Sequence, residues 1–169
     1  MAVKAFVSGC AGVALTDEER GFFAAEQPLG LILFKRNCET PEQVRSLVAA
    51  FREAVGRADA PVMIDQEGGR VRRLRPPHWP DYPAAAVLGR LASADPEAGT
   101  RAAWLHGRLL AADLADLGIT IDCTPVLDVI VPGASEAIGD RSFGGDPALV
   151  TRLGRAVAEG LLAGGVMPV

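Results

Sequence analysis

The sequence predicts an α/β protein built on a parallel sheet. Short apolar runs rich in β-formers alternate with longer amphipathic segments. The longer segments open on helix-capping residues, Thr16, Thr40, Asp95 and Asp146. One strand-like run, Gly30 to Phe34, is apolar at every position, the pattern of a strand buried on both faces.

Val3 to Val7 reads as the first strand. Thr16-Asp17-Glu18-Glu19 is a capping box opening a helix that carries Phe22 and Phe23. Gly30 to Phe34 is the second strand, and a second capping box follows with Thr40 as N-cap, Pro41 at N1 and Gln43 at N3. Val44, Leu47, Val48, Phe51 and Val55 then repeat at i, i+3, i+4, which places them on one helical face. Pro61 to Asp65 is the third strand, and a loop dense in Gly, Arg and Pro runs from Gln66 to about Asp95. Asp95-Pro96 opens a helix whose buried face reads as Ala102, Leu105, Leu109 and Ala112, ending near Gly118. Ile119 to Cys123 is the fourth strand, with a second long loop to Asp146. Asp146-Pro147 starts the last helix, with Leu149, Leu153, Val157 and Leu161 in register and Gly164-Gly165 at its end. Val166 to Val169 begins a fifth strand.

Successive βα units leave two architectures, a doubly wound sheet or a barrel. Dinucleotide binding is disfavoured, because Ser8-Gly9-Cys10-Ala11-Gly12 lacks the G-x-G-x-x-G spacing after the first strand. A closed barrel takes eight strands and about 250 residues, of which this chain supplies little more than half.

With 49% apolar residues in a chain of 169, the sequence excludes disorder and predicts one globular unit. Seventeen Lys and Arg against 21 Asp and Glu leave a net charge of −4, which argues against nucleic acid as a partner. No apolar run approaches the roughly 18 residues of a membrane helix, and the N-terminus shows no signal-peptide core. Three widely spaced cysteines, Cys10, Cys38 and Cys123, fit reduced thiols in a cytoplasm better than a disulfide framework. Two distant histidines without a Cys-x-x-Cys make a metal site a weak reading.

In either architecture, functional loops leave the C-terminal ends of the strands. Asp65 ends the third strand, where its carboxylate can accept two hydroxyl hydrogen bonds from a polyol. Gly68-Gly69 lets the chain turn tightly, and Arg73, eight residues on, can return to the same pocket. A structural ion pair between Asp65 and a nearby arginine is the alternative. After the fourth strand, Gly139-Asp140-Arg141-Ser142 folds over the sheet, and the Arg141 guanidinium can hold hydroxyl or carbonyl oxygens through a fixed fork. Caps and turns satisfied by Asp140 and Arg141 are the competing reading. Arg70, Arg72 and Arg75 read as solvated or carboxylate-paired. Trp79 reads as packing the loop down, and His106 as a packing or surface residue inside a helix.

At these loops the sequence resembles the bacterial β-N-acetylhexosaminidases of glycoside hydrolase family 3. The resemblance rests on Ile32-Leu33-Phe34-Lys35-Arg36-Asn37, Ile64-Asp65-Gln66-Glu67-Gly68-Gly69-Arg70-Val71, Pro76-Pro77-His78-Trp79-Pro80, Leu117-Gly118-Ile119 with Pro125-Val126-Leu127-Asp128, and Ile138-Gly139-Asp140-Arg141-Ser142-Phe143-Gly144. It implies a (β/α)8 barrel of the TIM type, of which residues 1–169 supply about the first four and a half βα units of a single domain. It further implies removal of terminal β-linked N-acetylglucosamine from muropeptides in cytoplasmic cell-wall recycling. The partner is then a small carbohydrate, with no cofactor, nucleic acid or membrane.

The same resemblance assigns substrate binding to Asp65, Arg73 and Arg141. The family's Lys-His pair on the fifth strand, its acid/base His and its nucleophilic Asp would all follow Val169, so no catalytic residue is assigned within the chain. Retaining hydrolysis needs both a nucleophile and an acid/base. The expectation is therefore an inactive N-terminal part of such an enzyme. A non-catalytic sugar-binding or complementing half-barrel is the alternative, disfavoured by the unpaired strand edges it leaves.

Overall fold

The computed structural model describes residues 2–133 and 136–169. Five strands, β1 (Lys4–Ser8), β2 (Pro28–Leu33), β3 (Val62–Ile64), β4 (Ile121–Asp122) and β5 (Met167–Pro168), form one sheet. They lie in chain order and every pairing is parallel. A doubly wound sheet needs a reversal of strand order, and this order has none among the described residues. The sheet is singly wound, as the wall of a βα barrel is.

The helices follow the same order. They are α1 (Asp17–Glu26), α2 (Pro41–Val55), α3 (Ala85–Ala94), α4 (Pro96–Asp116) and α5 (Pro147–Ala163). Edge-on packing of Phe23 against Phe51, with centroids 5.3 Å apart, joins α1 to α2. Arg45 pairs with Asp116, and Arg52 Nη2 donates to the Gly118 carbonyl at 2.8 Å, tying α2 to the end of α4. Leu31, Leu33, Val62 and Ile64 are fully buried within the core that includes Val44, Leu47, Phe51, Leu110, Leu114 and Leu153. The pleat turns Ile32, Met63, Ile121 and Met167 the other way. These four stand in one register row; three are half-buried and Met167 is exposed.

The expected caps form. Thr16 and Glu19 make the reciprocal capping box, Asp95 accepts from the Glu97 and Ala98 N–H groups, and Asp146 accepts from Ala148 N. At α2 only half of the expected box exists. Thr40 Oγ1 accepts from Gln43 N, but Gln43 turns to the Glu39 N–H and the Val13 carbonyl instead. The α2 and α5 faces are buried as expected.

Two further readings are corrected. The loop after β3 contains the helix α3, which opens on Ala84 without a side-chain cap and so carries no start signal. The buried face of α4 is also not the Leu105/Leu109 stripe, whose leucines are 39% and 53% exposed. The buried stripe is Gly99, Ala103, His106, Gly107, Leu110, Ala111 and Leu114. Close approach selects the small residues. A Cβ on Gly107 would lie 2.2 Å from the Val157 carbonyl of α5, and one on Gly99 would lie 2.3 Å from Ala92 of α3.

Candidate functional site

Asp65 follows β3 directly, two residues from Met63, so the strand's alternation carries it to the face away from the helices. Its side chain remains 24% exposed there. The loop then turns back at Gly68 and Gly69, both in the left-handed region with φ of 99° and 56°. A Cβ on Gly68 would lie 2.4 Å from the Pro83 carbonyl, so that turn demands glycine twice over. The turn returns Arg73, whose Nη2 donates to Asp65 Oδ2 at 2.6 Å.

The next residue but one joins the second loop. Glu67 receives a two-point bond from Arg141, Nε to Oε2 at 2.9 Å and Nη2 to Oε1 at 2.7 Å. Arg141 closes a single 3-10 turn, Gly139–Arg141. Its bond with Glu67 raises its pKa further above the ordinary arginine value. Arg70 braces the same turn, donating to Asp140 Oδ1 at 2.8 Å and to the Ala137 carbonyl at 2.6 Å. Two ion pairs therefore stand side by side at the carboxyl ends of β3 and β4. Their formal charges cancel, which suits a neutral polyol better than an anion.

The three residues expected from the sequence, Asp65, Arg73 and Arg141, thus gather on one end of the sheet. Asp65 and Arg73 meet directly, while Arg141 is tied to the same loop by its bond to Glu67. The ion-pair alternative for Asp65 is present as well. The bond engages only Nη2 of Arg73 among the described residues, and a guanidinium has five N–H donors.

Sequence reasoning missed Gln66, Glu67 and Asp122. Gln66 and Asp122 are fully buried. Asp122 stands in register with Ile64, on the opposite face from Asp65, where burial pushes its carboxyl well above the usual carboxylate range and the nearby Asp65 and Glu67 add to the rise. Its Oδ1 accepts from Gln66 N at 2.9 Å, and its Oδ2 has no partner among the described residues. An acidic residue at a core position of an apolar strand was the available signal for Asp122. Glu67 carried none, since its partner lies 74 residues away.

Cys123 is held inert beside the site. Burial pushes its thiol up to about 12, and its hydrogen bond to Asp65 adds to that rise. His106 packs edge-on to Tyr82 with centroids 5.7 Å apart, and its Nε2 donates to the Glu67 carbonyl at 3.0 Å. Burial lowers its pKa. As expected it is a packing residue, here supporting the Glu67 backbone. Trp79 is buried and His78 is exposed. Arg72 pairs with Asp81 at 3.1 Å. Among the described residues no group of three or more His, Cys, Asp or Glu is arranged to hold a metal ion, and no helix is long and apolar enough to cross a membrane.

A singly wound parallel sheet with charged loops at its carboxyl end is the frame of a βα-barrel enzyme domain. The glycosyl hydrolase family 3 N-terminal domain model matches residues 5–169, and the chain belongs to this family. It is 37% identical over 161 residues to a β-hexosaminidase of Xanthomonas campestris pv. campestris (strain B100), covering 94% of this chain and 46% of that relative. The β-hexosaminidase of Xylella fastidiosa (strain 9a5c) is likewise 37% identical, with 95% of this chain and 47% of the relative covered. Among solved structures, native NagZ from Neisseria gonorrhoeae superposes with a TM-score of 0.91 at 35% identity, over 98% of this chain and 48% of that one. A family 3 β-N-acetylglucosaminidase from Paenibacillus sp. str. FPU-7 gives 0.86 at 31% identity, over 96% of this chain and 30% of that chain. The chain spans about half the length of the curated relatives it matches.

Proposed function

We propose that residues 1–169 form the substrate-holding part of a single β-N-acetylhexosaminidase barrel domain. In this reading the groups that break the glycosidic bond are supplied from outside these residues. The observation that carries it is the pair of neutralised arginines at the carboxyl end of the sheet, Arg73 on Asp65 and Arg141 on Glu67. Asp65 accepts from two sugar hydroxyls, and the free donors of Arg73 and Arg141 hold hydroxyl or amide oxygens. Similarity to β-hexosaminidases supports the reaction class, and a NagZ from Neisseria gonorrhoeae has been solved with N-trifluoroacetyl-D-glucosamine. We assign as substrate a terminal β-linked N-acetylglucosamine of a muropeptide, in cytoplasmic recycling of cell-wall fragments. Three cysteines without a disulfide support that compartment.

The test is a fusion of residues 1–169 to the remaining segment of the Xanthomonas campestris relative, assayed with an aryl β-N-acetylglucosaminide. The fusion hydrolyses it, while the 169-residue chain alone releases nothing above the blank. Asp65→Ala in the fusion lowers kcat/KM by roughly 100-fold, the loss of ~3 kcal/mol from two hydrogen bonds to a charged group. Near-normal turnover by that variant removes Asp65 from the site. Hydrolysis by the chain alone places the catalytic groups within it. Sugar binding by an inert fusion points to the non-catalytic alternative.

A further inference from the structure

Asp65 and Arg73 are eight residues apart, a stretch that spans roughly 26–29 Å when extended. Their side chains nevertheless meet at 2.6 Å. The glycine turn reverses the chain, but it does not set where residue 73 lands. Gln66 does that. Its side-chain Oε1 accepts from Arg73 N at 2.9 Å and from Leu74 N at 3.0 Å, and its Nε2 donates to the Leu74 carbonyl at 3.2 Å. One planar amide therefore clamps the backbone on both sides of the Arg73 Cα. Gln66 is itself held from behind, because its own N–H donates to Asp122 Oδ1 at 2.9 Å.

The clamp is buried except at Arg73, which is half-buried. Gln66 is 1% exposed, and Leu74 and Asp122 are 0% exposed. Water therefore does not replace these bonds, and removing the amide leaves two N–H groups and one carbonyl unsatisfied beside the site. The chemistry is narrow. Only Asn and Gln carry a planar side-chain amide, with an acceptor oxygen and an NH2 donor, and Asn is a methylene shorter. Arg73 is held by Asp65 through a single nitrogen, so the direction of its other donors depends on where its Cα is placed. Arg141, by contrast, is oriented by the two-point bond it donates to Glu67 and does not pass through this clamp.

We propose that Gln66 is the positioning residue of the sugar site, its buried amide closing the loop so that Arg73 meets Asp65 in the orientation that receives a substrate oxygen. This rests on the reading of Asp65 and Arg73 as substrate-holding residues, and it adds a residue that touches no substrate.

The experiment is NMR on the 169-residue chain labelled with 15N, following the arginine Nε–H signals and amide exchange. Gln66→Met keeps the side-chain volume and removes the bonds. It shifts the Arg73 Nε–H signal and speeds exchange of the Arg73 and Leu74 amides by tenfold or more, with the Arg141 Nε–H signal unchanged. Gln66→Glu retains an acceptor oxygen and restores the Arg73 signal. An unmoved Arg73 signal in Gln66→Met overturns the proposal, and so does equal loss of the Arg73 and Arg141 signals, which marks general unfolding. Titration with N-acetylglucosamine then tests the route of action. Gln66→Met and Arg73→Ala weaken binding by similar factors, and the double variant is no weaker than either. Additive losses show that Gln66 does not act through Arg73 and overturn the proposal. A flat titration of the unmodified chain, with the Arg73 signal still responding to Gln66→Met, sinks the sugar reading and leaves the positioning of Arg73 standing.

Discussion

The loop after β3 and the loop after β4 both deliver an arginine to the same end of the sheet, and they are held in opposite ways. The β3 loop is closed by its own residues. Gln66 bonds to Arg73 and Leu74, Glu67 N to the Val71 carbonyl, and Gly69 N to the Tyr82 carbonyl. The turn of the β4 loop that carries Arg141, Gly139–Arg141, is gripped by residues of the other loop, Arg70 and Glu67, and is backed by α3 through Gly89. The β3 loop is a template and the β4 turn is cast against it. Loss of the β3-loop groups that grip the turn, Glu67 and Arg70, should therefore loosen the turn, whereas damage to the turn should stay there.

The largest test of this asymmetry is Glu67→Ala. It leaves the Arg141 guanidinium, 28% exposed, without its carboxylate. The expected cost is about 2–3 kcal/mol in urea unfolding, with faster exchange of the Arg141 amide that bonds to the Ile138 carbonyl. The Arg73 and Leu74 amides stay protected. Their simultaneous loss would show that the two loops form one unit without a template.

Gly89→Ala acts from behind the β4 loop. The added Cβ would lie 1.8 Å from the Phe143 carbonyl, which forces α3 and the loop apart. Overpacking of about 1–3 kcal/mol is partly offset by ~1 kcal/mol of helix propensity, so the net loss is about 0–2 kcal/mol. Amide exchange should rise at Ile130, which bonds to the Gly144 carbonyl, and not in the β3 loop. A stabilised variant would mean that α3 does not support that loop.

Arg70→Ala removes a half-exposed brace and should cost under about 1 kcal/mol. Its signature is high salt reproducing most of the effect in the unmodified chain.

Asp122→Asn is the smallest and is read in its pH dependence. The folded carboxyl is raised well above its usual range by burial, while the unfolded one titrates near about 3.9. The folded chain therefore binds more protons above that pH, and stability declines as pH rises toward the folded value. Asn keeps the oxygen that accepts from Gln66 N and cannot ionise. The melting temperature of the variant should gain on the unmodified chain as pH rises above the unfolded carboxyl's range. Parallel curves would place the Asp122 carboxyl in its ordinary range.

Much of the candidate site was legible along the chain because its signals are local. Asp65 closes an apolar strand, Gly68-Gly69 marks a reversal, and Asp95-Pro96 and Asp146-Pro147 mark helix starts. Each uses residues within one turn or one strand. The α4 face was not legible, because alanines and glycines form a second stripe beside the leucines, and periodicity alone does not tell which one a neighbouring backbone will approach. Nor was α3, whose first turn carries no cap.

The sequence by itself determined the βα alternation, the strand ends that carry charge and the resemblance to family 3, because capping, apolar runs and motif spacing act over a few residues. The residue pattern left two sheet architectures open, the resemblance implied the barrel, and the tertiary structure adds the unreversed strand order that agrees with it. The tertiary structure alone set Gln66 against Arg73 and Leu74, Asp122 against Gln66, and Glu67 against Arg141. The latter two contacts join residues 56 and 74 positions apart, and the partner of a buried polar group at that distance is chosen by the packing that brings the segments together.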